Sequence, residues 1–400
     1  MPRRAKLPQR IQIETADKED TGLLGEGSFG CVFQPKVACT GPEKPLLRVR
    51  GRKGAAKGSA QGSAKGAAKG TVDNDSVGKV FFDIQDFRQE MKTSKIAAAV
   101  DPEGKSMIVP TASCVTTREA VLAHPAGYLC EKHSENPQMS DSSTLHQLLM
   151  PHGGVRLDTY VASQVPFMSS KELVLLMIPV LEGIVKLHAA GQCHQDIKTS
   201  NVLVAPAPAK GSAKQGIARL IDYSLLMPLA KIYSYSNRRR WQFSYFPYPP
   251  EYKMFYVLHR ELGRRSSGSS EKTDSRTEVF SEIRRNWFSF GERRGRAYYD
   301  LFGENKIRRL VDEFYEWTMN AAATRAKLET AFAPFADKLD VYSVGMIFVD
   351  LSRILSPLET PKTTRAMRIF LRGLSHPDPR ERFGPLEALA AAQSLLKAIA

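Results

Sequence analysis

No apolar run in this 400-residue chain reaches the roughly 20 residues needed to cross a bilayer. The nearest approach, Leu173 to Leu187, is interrupted by Pro179, Glu182 and Lys186. It predicts a buried core helix instead. The basic start, MPRRAKLPQR, has no apolar stretch behind it and predicts no secretory signal. Cysteine is scarce, odd in number and scattered: Cys31, Cys39, Cys114, Cys130 and Cys193, with no CxxC pair. That pattern predicts neither a zinc site nor a disulfide framework, and it fits a reducing compartment.

Acidic residues are in deficit, 42 against 57 lysines and arginines, for a formal net charge of +15. Part of the excess lies in Arg48 to Lys69, RVRGRKGAAKGSAQGSAKGAAK, whose glycine, alanine, serine and lysine bury too little apolar surface to offset ordering entropy. A disordered insert is expected there. Arg238-Arg239-Arg240 and the stretch from Arg284 to Arg296 supply more charge. Nonspecific attraction to nucleic acid or acidic proteins follows, but sequence-specific DNA reading does not.

The length allows two lobes with separate cores, and the 42% apolar content suits a soluble globular protein. Strand-like runs occupy Thr21 to Phe33 and Ser76 to Phe82, followed by a helical pattern from Asp86 to Val100. Leu173, Leu176, Leu181, Ile184 and Leu187 recur near a 3.6 period and predict a helix over Lys171 to Ala190. Short strands are expected at Val202 to Val204 and Arg219 to Asp222, joined by the loop APAPAKGSAKQG, and helical patterns dominate after Phe255. A small β-rich lobe, a hinge near Met150 to Gly154 and a larger helical lobe result.

Four residue sets carry chemistry. Leu24-Gly25-Glu26-Gly27-Ser28-Phe29-Gly30-Cys31-Val32 spaces its glycines so that a hairpin backbone can lie close over a polyphosphate, where any Cβ would intrude. An ordinary glycine-rich turn shares that spacing. A Rossmann loop requires a following helix, whereas Cys31-Val32-Phe33 continues as a strand. Val77-Gly78-Lys79-Val80 sets a lysine among strand residues, able to hold phosphates or to sit on an edge strand. Glu90, on the next helical segment, either pairs with Lys79 or is a solvated helix charge.

The third set, His194-Gln195-Asp196-Ile197-Lys198-Thr199-Ser200-Asn201, is the most specific. Asp196 can orient an attacking hydroxyl, Lys198 can neutralise charge on a transferred group, and Asn201 offers a hard amide oxygen to magnesium. In the fourth, Leu220-Ile221-Asp222-Tyr223-Ser224, Asp222 ends a strand and is either a magnesium ligand or a turn residue.

In this order the four sets resemble the eukaryotic-type protein kinase superfamily. Pro249-Pro250-Glu251 resembles the end of that family's activation segment. Asp340-Val341-Tyr342-Ser343-Val344-Gly345 resembles its buried loop-anchoring helix, and Asp378-Pro379-Arg380-Glu381-Arg382-Phe383 its C-terminal arginine motif. The resemblance implies an α+β, bilobal protein-kinase-like fold with a small β-rich N-lobe and a larger, mainly helical C-lobe. Residues 1–20 would be a basic tail, 21–150 the N-lobe with a disordered insert at 47–72, and 151–400 the C-lobe with an insert near 252–335. It implies ATP and Mg2+ as cofactors and proteins as substrates. Asp196 and Lys198 would be catalytic, and Leu24, Gly25, Gly27, Gly30, Val32, Lys79 and Glu90 would bind ATP. Asn201 and Asp222 would hold metal, and Arg382 would pair with Glu251. Lys198 favours serine and threonine over tyrosine as acceptor.

A narrower resemblance, to kinases of large nucleocytoplasmic DNA viruses, rests on Gly30-Cys31-Val32-Phe33-Gln34-Pro35 with Cys39 soon after. The short Lys79-to-Glu90 spacing, Met150-Pro151-His152-Gly153-Gly154 and the Pro-Pro-Glu form add to it. It implies the cytoplasm of an infected cell, or the virion.

The chain departs from the family at Gln195, where an arginine is usual, which implies independence from an activation-loop phosphate. Ser224 replaces a glycine, Ser94 replaces an apolar residue one turn after Glu90, and the segment from Glu251 to Asp340 is long. That segment is either a dock built on its aromatic-basic stretches or an extra helical layer. Tyr233, Ser234, Tyr235 and Ser236 are candidate autophosphorylation sites. Two rival functions stay open: a pseudokinase scaffold, and a small-molecule kinase of the aminoglycoside or choline type.

Overall fold

The computed structural model describes residues 22–27, 30–46, 76–130, 143–164, 168–205, 216–234, 248–266, 275–288, 292–351 and 359–399. The expected disordered insert at 47–72, the loop at 206–215, Arg238 to Arg240, and Tyr235 and Ser236 lie outside them. The protein is mixed α+β, and its described residues fall into two compact units. One draws on Met1–Lys92 and Pro110–His152, the other on Thr93–Val109 and Gly153–Ala400. No helix among the described residues is long and apolar enough to cross a membrane.

The first unit is a six-stranded antiparallel sheet. Its strands are β1 (Leu23–Gly27), β2 (Gly30–Phe33), β3 (Lys44–Pro45), β4 (Ser76–Phe81), β5 (Ala112–Thr117) and β6 (Thr144–Pro151), in the order β1-β2-β4-β6-β5-β3. Helix α1 (Ile84–Val100) begins in this unit, and α2 (Arg118–Ala123) is capped by the Thr117 hydroxyl. Residues opposite one another in register share a sheet face, and neighbours along a strand alternate. Val32, Lys79, Leu148 and Ser113 form one row; Cys31, Val80, Gln147 and Cys114 form the next, on the opposite face. Phe81, Phe87 of α1 and Leu148 make a small core on the lysine face. The cysteine face carries a second small core, including Leu23, Phe33, Val37, Val80, Val121 and Leu145.

The cysteine expectation is overturned here. Cys31 is disulfide-bonded to Cys130, and Cys39 to Cys114, across 99 and 75 residues of chain. Their Cα atoms lie 6.1 and 5.9 Å apart, within the span a disulfide bridges. Sequence spacing gave no sign of this, because strand register, not chain proximity, brings the partners together.

The second unit has a three-stranded sheet, β7 (Val155–Arg156), β9 (Val202–Ala205) and β10 (Ile217–Leu220), and a two-stranded pair, β8 (Gln192–Cys193) with β11 (Met227–Pro228). Around them pack α3 (Leu157–Gln164) and α4 (Ser170–Ala189). Ser169 and Glu172 close a capping box at the start of α4, and the helix runs through Pro179. Its Leu173, Leu176, Val180, Leu181, Ile184 and Leu187 are buried, as the period predicts.

The long segment after Glu251 is helical: α5 (Pro250–Ser266), α6 (Ser275–Phe288), α7 (Glu292–Phe302), α8 (Glu304–Ala321) and α9 (Arg325–Phe332). Ile307, Val311, Phe314, Tyr315 and Thr318 are buried along α8, and the first four join the main core with Tyr298, Phe302 and Phe332. The segment is therefore an added helical layer. Tyr298, part of an aromatic-basic stretch considered as a dock, is buried and donates to the Ser375 carbonyl at 2.7 Å. Helix α10 (Leu339–Leu351) is buried on almost every side, and α11 (Pro361–Leu374) and α12 (Pro385–Ala398) complete the unit.

Candidate active site

The candidate residues form two groups, one in each unit. In the first, Leu24, Gly25 and Gly27 lie on β1, and Gly30 and Val32 on β2. The glycines differ in what demands them. A Cβ at Gly30 would collide with the Val80 carbonyl of the neighbouring strand, so the sheet requires glycine there. A Cβ at Gly25 would meet nothing within 4 Å, so open space lies beside that backbone. Ser28 and Phe29, at the tip, lie outside the described residues.

Lys79 stands on β4 in register with Val32, and its Nζ donates to Glu90 Oε2 of α1 at 2.6 Å. Both are almost fully buried. A buried pair costs desolvation that only close geometry repays. The expectation that Glu90 partners Lys79 holds, and the solvated-charge alternative falls. Ser94, one turn on, is buried with its hydroxyl unpartnered, so no apolar side chain fills that position.

In the second unit, the segment 194–201 is a loop hung on a single carboxylate. The backbone N–H groups of His194 and Gln195 donate to the two oxygens of Asp340 at 2.8 and 2.9 Å, and His188 Nε2 donates to the same carboxylate at 2.8 Å. Burial alone would raise the Asp340 pKa, but the hydrogen bond and charge of His188, the charge of His194 and the loop amide outweigh it and hold it below 3.8. His188 was not foreseen. A histidine at the polar end of an amphipathic helix has no sequence signature beyond its place in the last turn.

Asp196 and Asn201 are buried, and Lys198 is half-exposed. Asn201 Nδ2 donates to the Asp196 carbonyl at 2.9 Å and to Asp196 Oδ2 at 2.8 Å, while Lys198 Nζ reaches the same oxygen at 3.1 Å. Asp196, Lys198 and Asn201 therefore form one constellation. Asp222 follows β10, and the preceding residue ties it to the loop: Ile221 N donates to the Asn201 carbonyl at 3.0 Å, and His194 Nε2 donates to the Ile221 carbonyl at 3.1 Å. Gln195 Nε2 adds a bond to the Leu225 carbonyl at 2.7 Å.

Among the described residues, two that are not glycine have positive φ: Gln195 at 65° and Asp222 at 63°. The left-handed region costs a side chain about 1–2 kcal/mol. Both strained residues sit in this site, one beside Asp196 and one being the other carboxylate. Strain of this kind persists where surroundings over-determine it.

Among the described residues, two other clusters bring potential metal ligands together, Glu26 with Cys31 and Cys130, and His188 with Cys193 and Asp340. The disulfide occupies the first. In the second the Asp340 oxygens already accept two amides and an imidazole. Burial, then the Asp340 charge, pushes the Cys193 thiol well above its ordinary value, so it is a poor nucleophile and ligand. Tyr233 is buried against Tyr252, Phe255 and Phe332, which removes it from the candidate phosphoacceptors.

The predicted pair of Arg382 and Glu251 is present: the guanidinium donates to both carboxylate oxygens at 2.5 and 2.8 Å, and both side chains are fully buried. A scan against protein-family models and a search of curated proteins each matched nothing.

Proposed function

We propose that the chain is a serine/threonine protein kinase that transfers the γ-phosphoryl of Mg-ATP to protein hydroxyls, with a bilobal protein-kinase-like fold. The small β-rich lobe is then the first unit and the helical lobe the second. One observation carries the reading: Asp196, Lys198 and Asn201 converge at hydrogen-bonding distance on a loop suspended from Asp340. Such an arrangement suits phosphoryl transfer, where positioning and charge stabilisation do most of the work.

Asp196 would accept the hydrogen bond of an attacking hydroxyl, and Lys198 would balance charge on the transferred group. Lys79, held by Glu90, would grip the ATP phosphates under the backbone of Gly25 and Gly27. The metal fit rests on Asn201. Both bonds of its amide nitrogen go to Asp196, which leaves the amide oxygen for a hard cation. Asn201 and Asp222 would hold the magnesium, which when bound neutralises phosphate charge. Protein hydroxyls are the proposed substrates, and the basic segments would add salt-sensitive contacts to acidic partners.

A nucleotide-binding scaffold is the second reading. It is favoured by one fact: Gln195 Oε1 and Ser224 Oγ, at the two departures from the family pattern, are buried without a partner. Radiolabelled ATP with magnesium and a generic basic protein separates the two. Labelled product from wild type, abolished in Asp196→Ala, Asp222→Ala and Lys79→Met proteins that still fold, is the expected result. Nucleotide binding without transfer selects the scaffold, and equal transfer by the Asp196→Ala protein refutes the assignment.

A further inference from the structure

The face of the first unit's sheet opposite Lys79 has little with which to hold its cover. That cover consists of irregular chain around 34–43 and the short α2 with the turn that follows it to Cys130. The core between cover and sheet is small. Small cores of this kind are commonly reinforced by cross-links.

The row Cys31–Val80–Gln147–Cys114 crosses four strands of this face, with a cysteine at each end and Val80, the neighbour of Lys79, within it. Each terminal cysteine meets a cysteine from the cover: Cys130 closes the turn after α2, and Cys39 lies in the chain after β2. Gln147, between them, ties down the second pair. Its Nε2 donates to the Val37 carbonyl at 2.7 Å and approaches Cys114 Sγ at 3.2 Å and Cys39 Sγ at 3.6 Å. The unpaired cysteine, Cys193, belongs to the other unit and is buried.

We infer that Cys31–Cys130 and Cys39–Cys114 are native structural disulfides that fasten the cover to both ends of this row, so that the working protein is its oxidised form. The chain then functions in, or is stored in, an oxidising environment, contrary to what its sparse cysteines suggest. The inference is independent of any phosphotransfer. Each bond forms by thiol–disulfide exchange: two thiols lose their protons and two electrons, and a disulfide donor of the glutathione class is cleaved to two thiols.

The test uses the full-length protein equilibrated with oxidised and reduced glutathione, then denatured, alkylated and digested. Linked peptides pairing Cys31 with Cys130 and Cys39 with Cys114, with Cys193 alkylated, are expected. Crossed pairs, or alkylation of all five cysteines at a poise typical of secretory compartments, overturn the inference. Hydrogen exchange then reads the role of the bonds. Dithiothreitol should speed exchange of peptides from 30–46 and 112–130 by about tenfold or more, leaving α10 unchanged. Equal rates in both states overturn the structural role. A Cys31→Ser/Cys130→Ser double variant that folds should show the fast exchange of the α2 segment, 118–130, without reductant.

Discussion

The buried pair of Glu251 and Arg382 offers the sharpest test of how the second unit is held. Neither side chain is exposed to solvent. Besides Glu251, the guanidinium donates to the His376 carbonyl at 2.7 and 3.0 Å and lies over the Tyr342 ring, 4.8 Å from its centre. In Glu251→Ala those contacts remain but the cation loses its counter-charge. Breaking such a pair from one side costs about 3–5 kcal/mol, because a buried charge is left uncompensated. The guanidinium cannot shed its proton to escape, since an arginine side chain stays protonated in proteins even where burial opposes its charge.

With a urea slope of about 3 kcal/mol/M for a unit this large, the unfolding midpoint should fall by about 1–1.7 M. Tryptophan emission reads this unit selectively, because Trp241, Trp287 and Trp317 all fall within Gly153–Ala400. The double variant Glu251→Leu/Arg382→Met, which removes both charges, should recover much of the loss. A single-variant shift below about 0.3 M, or a double variant worse than the single, would refute the claim that an uncompensated charge is the cause.

Other consequences are as definite. Asp340→Asn turns an amide NH2 toward one of two loop N–H donors and removes the His188 counter-charge, so urea unfolding should show a loss of about 2–3 kcal/mol near neutral pH. Because the folded Asp340 pKa is depressed, its stabilisation is complete above the unfolded value of about 3.9 and is lost as pH falls through the lower folded one. The gap between wild type and Asp340→Asn should therefore narrow only in that acid window, and a gap unchanged between about pH 5 and pH 2 counts against it. Gly345→Ala puts a Cβ 2.9 Å from the Cβ atoms of Leu374 and Ser375, and should cost about 1–3 kcal/mol in the same assay. After incubation with Mg-ATP, mass spectrometry should find Tyr233 unmodified, whereas phosphotyrosine there would mean its aromatic pocket opens.

Much of the second unit was legible because its determinants are local. The period of Leu173 to Leu187 gave α4 and the short strand-like runs at Val202 and Arg219 gave β9 and β10, whereas the distant pairing of Glu251 with Arg382 was implied only by the family resemblance. Boundaries moved by a residue or two: α1 starts at Ile84 and not Asp86, because the Asp83 carboxylate caps its first amides. The long segment after Glu251 was ambiguous because aromatic and basic residues alternate on α7, where Tyr298 faces the core and Arg296 faces solvent. The disulfides were invisible for a different reason. Cys31 and Cys114 share a row only through the pairings of β2, β4, β6 and β5, and no spacing along the chain encodes that register.

What the sequence concealed most completely is the strain beside the two carboxylates. Nothing in Gln195 or Asp222 forecasts a left-handed backbone, since glycine would be the easy choice at either position. At Gln195 the conformation turns its N–H toward Asp340 while its side chain reaches the Leu225 carbonyl. A charge-assisted hydrogen bond of that kind contributes about 1.5–3 kcal/mol, enough to offset about 1–2 kcal/mol of backbone strain. The balance depends on Asp340 and not on glycine. Gln195→Gly should therefore relieve strain yet loosen the loop, because it discards the tie to Leu225 and frees the unfolded chain. Stability should change little, while hydrogen exchange at 222–226 should rise. Unchanged exchange there would mean that the strained residue holds nothing, and that the Asp222 turn is positioned by His194 and Asn201 alone.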